Sequence, residues 1–170
     1  MILILMLAIG VFPASAAPDS GSFTSRQLEA RGYADLGAEK IDVSGYPKTQ
    51  QENYAAFAAV CSRCHTLARP INSPLAARAD WRRYVKRMHV RSKIESDKTF
   101  DKEQAKKVID FLAYDSQVRK IERKAAFDAE TERLKKFFVE VRAQRTRLQI
   151  ESDARKAKPY GDQSSATPRP

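Results

Sequence analysis

The sequence predicts an all-α fold, and three observations carry that prediction. Apolar residues recur at three- and four-residue spacing in three segments: Tyr54, Phe57, Ala58 and Cys61; Trp81, Val85 and Met88; Ala105, Val108, Ile109 and Leu112. This is the spacing of one helical face. The stretch from Gln117 to Lys158 holds no Gly or Pro and is rich in Lys, Arg, Glu and Ala, so it reads as a further helix. No strand-type alternation competes with these segments.

Composition bounds the class. A chain of 170 residues suits one domain with extensions, and a charged fraction of 31% against 42% hydrophobic leaves room for a modest core. The net charge of +10 suits an acidic protein partner, anionic lipid or nucleic acid, or simply a solvated basic surface. Only two cysteines occur, both in one motif, which argues against a disulfide framework.

In chain order, Met1 to Phe12 is almost wholly apolar, Pro13 breaks the run, and Ala14-Ser15-Ala16 has the A-x-A cleavage pattern. Residues 1–16 therefore read as a signal peptide, too short to span a bilayer and without a Lys or Arg ahead of the apolar run. The expected mature chain begins at Ala17 in the periplasm. Residues 17–46 form an irregular N-terminal segment. In it, Thr24-Ser25-Arg26-Gln27 resembles a capping box, Gly32 is placed to end a short helix after Arg31, and Ile41 and Val43 look extended. Gly45-Tyr46-Pro47 is a turn and a domain boundary.

The first helix leads into Cys61-Ser62-Arg63-Cys64-His65, a C-x-x-C-H pattern that reads as c-type haem attachment. Two thiols on one turn can each add across a haem vinyl group, and the His that follows can bind the iron from the proximal side. Pro70 and Pro74 then read as a loop ending near Ala79, able to offer a carbonyl that orients the imidazole. Asp80 is the expected N-cap of a helix from Trp81 to Val90. Met88 on its apolar stripe is the expected sixth ligand, since a neutral thioether suits both iron oxidation states. The competing readings are that Met88 only fills core space, or that His89, about 100° around the helix, binds instead. Asp101-Lys102-Glu103-Gln104 is a capping box that starts a third helix, ending near Tyr114-Asp115-Ser116 and expected to cross the first.

With these residues in view, residues 47–116 resemble a small monohaem class I cytochrome c. The resemblance rests on the helix into C-S-R-C-H, the Pro-bearing loop, W-R-R-Y-V-K-R-M, and the capped helix A-K-K-V-I-D-F-L-A-Y. It implies one covalent haem c on Cys61 and Cys64, with His65 as proximal and Met88 as distal iron ligand. The implied fold is a class I cytochrome c-like domain carrying a long basic C-terminal helical extension.

That extension, 117–158, lies outside the family pattern. Phe127, Thr131, Leu134, Phe138, Val141, Arg145 and Leu148 alternate by four and three, a heptad-like stripe weakened by Thr131 and Arg145. It suits either a helix packed on its own domain or a docking element for oligomerisation or peripheral membrane association. Residues 159–170, rich in Pro, Gly, Ser and Thr, read as a disordered tail.

The expected function is electron transfer with redox partner proteins through an acidic docking face on the partner, with Arg63, Lys86 and Arg87 as candidate contacts. Alternatives are a haem-bearing subunit of a larger oxidoreductase, a haem sensor, or a zinc or dithiol protein. Zinc is disfavoured because adjacent Cys64 and His65 cannot easily reach one tetrahedral ion. Nucleic acid is not an expected partner, since no binding motif accompanies the basic charge. No paired carboxylates, Ser-His array or Gly-rich phosphate loop marks an enzyme.

Overall fold

The computed structural model describes residues 23–94 and 99–157. The expectations for the signal peptide, the start of the N-terminal segment and the C-terminal tail lie outside the described residues. The described chain is helical, with no strand among the described residues. It comprises α1 (Ser25–Leu28), a 3₁₀ turn (Tyr33–Leu36), α2 (Lys48–Cys61), α3 (Ala68–Asn72), α4 (Arg78–Ile94), α5 (Lys102–Ser116), a π-helical segment (Gln117–Glu122) and α6 (Lys124–Ala157).

The core forms where α2 crosses α5 and α4 packs on α5. Phe57, Trp81 and Phe111, one from each of the three helices, are fully buried. Phe57 and Phe111 stack at 5.1 Å between ring centroids, and Tyr54 meets Phe111 at 5.1 Å. Such pairs contribute beyond their buried area. The Asp101 capping box forms as expected: the Gln104 amide donates to Asp101 Oδ1 at 2.7 Å and the Asp101 amide to Gln104 Oε1 at 3.0 Å.

Three local expectations shift. Helix α4 begins at Arg78 because the Ala77 carbonyl accepts the Asp80 and Trp81 amides at 3.0 and 3.2 Å. Asp80 is therefore a first-turn anion paired with Arg83 instead of an N-cap. Pro70 lies inside α3, in the first turn, where its missing N–H costs no helical bond. Gly32 does not end α1, which stops at Leu28; it stands at the N-cap of the 3₁₀ turn instead. The Thr24/Gln27 capping box itself is present.

The junction of α5 and α6 buries polar groups. Asp115 is 1% exposed and accepts from Tyr46 Oη at 3.0 Å and from Arg119 at 2.7 and 2.6 Å. Arg119 also donates to the Ile71 carbonyl at 2.9 Å. Lys120 Nζ donates to the Ser73 and Leu75 carbonyls, both at 2.9 Å, and lies 4.8 Å from the Trp81 ring centroid. Trp81 Nε1 donates to Ser116 Oγ at 3.0 Å. The π geometry, with one extra residue per hydrogen-bonded turn, occurs where Arg119 and Lys120 are drawn in toward these acceptors. The segment after α3 and the base of α4 are thereby tied to the end of α5.

Helix α6 returns along the N-terminal segment, packing on α1 and the 3₁₀ turn. Leu134 and Val141 of the heptad-like stripe are buried at 1% and 0% exposure, so this part of the stripe is internal packing of the chain. Phe137 meets Phe23 at 5.7 Å, and Arg145 donates to the Ala30 carbonyl at 2.6 Å. Leu148 and Ile150, further on, are exposed. On the other side, Asn72 Nδ2 reaches the Ala34 and Ala38 carbonyls at 3.3 and 3.0 Å. A Cβ at Gly37 would sit 2.4 Å from that amide, so the close approach requires glycine. The N-terminal segment is thus held between α3 and α6.

Candidate functional site

Helix α2 ends by presenting Cys61, and the turn that follows carries Cys64 and His65. The turn is fixed by the Ser62 amide donating to the Ala58 carbonyl at 3.2 Å. The Arg63 guanidinium also binds the Ala59 and Thr99 carbonyls at 3.1 and 3.2 Å. Cys61, Cys64 and His65 line a cavity of about 330 Å³, and Met88 reaches the same cavity from α4. Small-molecule sites run from about 300 to 1,000 Å³. Val60, Val85, Phe100 and Val108 supply its apolar wall.

The His65 ring is oriented by its Nδ1, which donates to the Thr66 carbonyl at 2.8 Å. In that tautomer Nε2 keeps a lone pair for a ligand. The orienting carbonyl belongs to Thr66, the first residue after the motif. His89 does not line the cavity. Its ring packs edge-on against Phe100 at 5.1 Å, and its buried Nδ1 has no partner among the described residues.

Cys61 is largely buried; that burial, then the neighbouring Cys64, pushes its thiol up to about 12. No three His, Cys, Asp or Glu side chains converge as a metal-holding group among the described residues.

The polar lining comes from residues that sequence reasoning did not single out. Arg31 of the N-terminal segment, Arg69 of α3 and Arg91 of α4 all line the cavity. Arg69 pairs with Asp35 at 2.6 and 2.9 Å, and the Arg31 and Gly32 amides donate to the same carboxylate at 2.8 and 3.3 Å. Burial pushes the Asp35 carboxyl up, but these hydrogen bonds and the Arg69 charge outweigh it and hold it below its ordinary value. Tyr84, also on the wall, has a buried hydroxyl with no partner among the described residues. Burial, then the nearby Cys61, pushes its phenol up to about 12. Tyr84 and Arg91 lie one turn either side of Met88, so helical periodicity could have found them. Arg31 carries no such signal, because only the tertiary fold brings it near.

Beside the cavity lies a surface groove lined by Arg83, Lys86, Arg87, Arg91, Val90 and Ile94, with Met88 bordering both spaces. Val90 and Ile94 are 54% and 79% exposed. No described helix is long and apolar enough to cross a membrane. No protein-family model, curated protein or solved structure matches the chain.

Proposed function

We propose that the protein is an exported monohaem c-type cytochrome that carries single electrons between redox partners, with a class I cytochrome c-like arrangement over residues 47–116. The observation that carries the reading is the convergence of Cys61, Cys64, His65 and Met88 on one apolar-walled cavity. The residues fit the group. Two thiols line the cavity, an imidazole is oriented by a carbonyl, a thioether lines the same cavity from another helix, and a buried hydroxyl without a partner among the described residues and arginines complete the lining. Haem, when bound, supplies an iron that cycles between two oxidation states. The chain's part is to hold it. Cys61 and Cys64 would anchor it, His65 and Met88 would hold the iron, and Val60, Val85, Phe100 and Val108 would wall it, which together would set the potential. His89 is the lesser candidate for the distal position because Phe100 lies against its ring.

The partner is a redox protein with an acidic face. The groove on α4 puts four cations around Val90 and Ile94 and shares Met88 with the cavity, so docking there brings the partner to the distal ligand. The same surface serves a free carrier or a subunit of a larger oxidoreductase. Charged rims of this kind steer association and make it salt-sensitive.

Visible spectroscopy tests the ligation. The oxidised protein is expected to show the weak far-red sulfur–iron band. Met88→Ala should abolish it, lower the potential and open the site to carbon monoxide. His89→Ala should leave the band in place, and its loss in that variant would make a His/His site the better description.

A further inference from the structure

Lys120 lies where the chain passes from α5 into α6, and it is buried without a carboxylate of its own. Its ammonium donates to two neutral acceptors, the Ser73 and Leu75 carbonyls, both at 2.9 Å. The charged groups acting on it are Asp115 of α5, which favours the ammonium, and Arg119 of its own segment, which opposes it. Asp115 is already bound by Arg119 and Tyr46. The other packed elements face Lys120 with aromatic rings: Trp81 of α4 at 4.8 Å and Phe127 of α6 at 5.4 Å from the ring centroids. Lys124, at the start of α6, is exposed and paired with Asp128. A buried charge compensated in this partial way is costly to keep out of water.

The helix is interrupted just beyond this lysine. The π-helical segment ends at Arg123, whose φ of −107° and ψ of 36° leave helical geometry before α6 starts at Lys124. From there α6 packs mainly on α1, the 3₁₀ turn and the π-helical segment, and not on α2, α4 or α5. Lys120 spans the interruption, because its ammonium sits between Trp81 on the near side and Phe127 on the far side. We propose that Arg123 is a hinge and that proton uptake by Lys120 releases α6 from the helical core as a unit. Release breaks the Arg145 bond to the Ala30 carbonyl and loosens the segment whose Arg31 lines the cavity. Cover of the cavity from that side is thereby coupled to a proton. The device works on the chain's own contacts, whether or not haem occupies the cavity.

Hydrogen exchange of the full-length protein, corrected for the intrinsic pH dependence of amide exchange, tests the hinge. Amides of α6 from Ala129 to Arg142 should open more often than those of α2 and α5, as a unit that detaches short of global unfolding does. Burial holds the ammonium of the closed state down from 10.5 to about 7. Released and hydrated, it regains its ordinary value, so opening takes up one proton between those limits. The opening equilibrium of α6 should therefore rise about tenfold for each pH unit on going from pH 9 to 7.5. Lys120→Met, with nothing to ionise, and Lys120→Arg, which stays charged, should both lose this slope. Lys124→Met should keep it. Exchange in α6 that matches α2 and α5 at every pH overturns the hinge. A slope in α6 that persists in both Lys120 variants overturns the part given to Lys120.

Discussion

Replacing Asp115 with Ala removes the anion from the most buried charge pair in the described chain. The carboxylate is 1% exposed and accepts three hydrogen bonds, one from Tyr46 Oη and two from Arg119. Its loss leaves the Arg119 guanidinium, 21% exposed, without a counter-ion and the Tyr46 hydroxyl without an acceptor. Breaking a buried pair from one side costs about 3–5 kcal/mol. Arg119 keeps its bond to the Ile71 carbonyl and some contact with water, which places the cost at the lower end, about 3 kcal/mol. For a chain of this size that is a fall in Tm of roughly 10 °C. Urea denaturation followed by far-ultraviolet circular dichroism measures it. Asp115→Asn keeps an acceptor for Tyr46 and should cost about half as much. In an Arg119→Met background the same Asp115→Ala change should cost at least about 1 kcal/mol less, because no stranded charge remains. An Asp115→Ala cost under about 1 kcal/mol, or strict additivity with Arg119→Met, refutes the claim that this pair fastens the end of α5 to the segment behind α3.

Two further predictions concern the same frame. Burial lowers the Lys120 ammonium from 10.5 to about 7, with Asp115 opposing and Arg119 adding to the shift. Between about 7 and 10.5 the unfolded chain holds a proton that the folded chain has released, so this group makes stability rise with pH across that window. The slope between pH 7 and 9 should be smaller in Lys120→Met, and equal slopes for the two proteins contradict the burial described. Leu134→Ala on α6 removes a side chain that is 1% exposed and should cost about 2–5 kcal/mol in the same urea assay. A cost within about 0.5 kcal/mol, as for a surface substitution, would mean that α6 is not packed on the chain.

What could be read from the sequence follows how local each signal is. The faces of α2, α4 and α5 were legible because each is written at helical spacing within one segment, as Phe57, Trp81 and Leu112 show by their burial. The two capping boxes were legible because donor and acceptor are three residues apart. Cys61, Cys64 and His65 are contiguous, and Met88 was found from the stripe it shares with Trp81 and Val85. Other features depend on chain distant in sequence. Asp115 and Lys120 look like surface charges, and only the Ser73, Leu75 and Tyr46 atoms beside them make them interior residues. The stripe on α6 announced an apolar face but not its cover, which is the chain's own N-terminal segment. Arg145 seemed to interrupt that stripe and instead bonds the Ala30 carbonyl. Arg31 enters the cavity only through that packing.

The most direct test of the central claim is the intact mass of the protein after denaturation. The account predicts an added mass of one haem, retained in denaturant, with the chymotryptic peptide spanning Cys61 and Cys64 carrying it, and its disappearance in the Cys61→Ala/Cys64→Ala double variant. A wild-type protein with no added mass, or haem that washes out in denaturant, would contradict the assignment of these two cysteines as haem anchors.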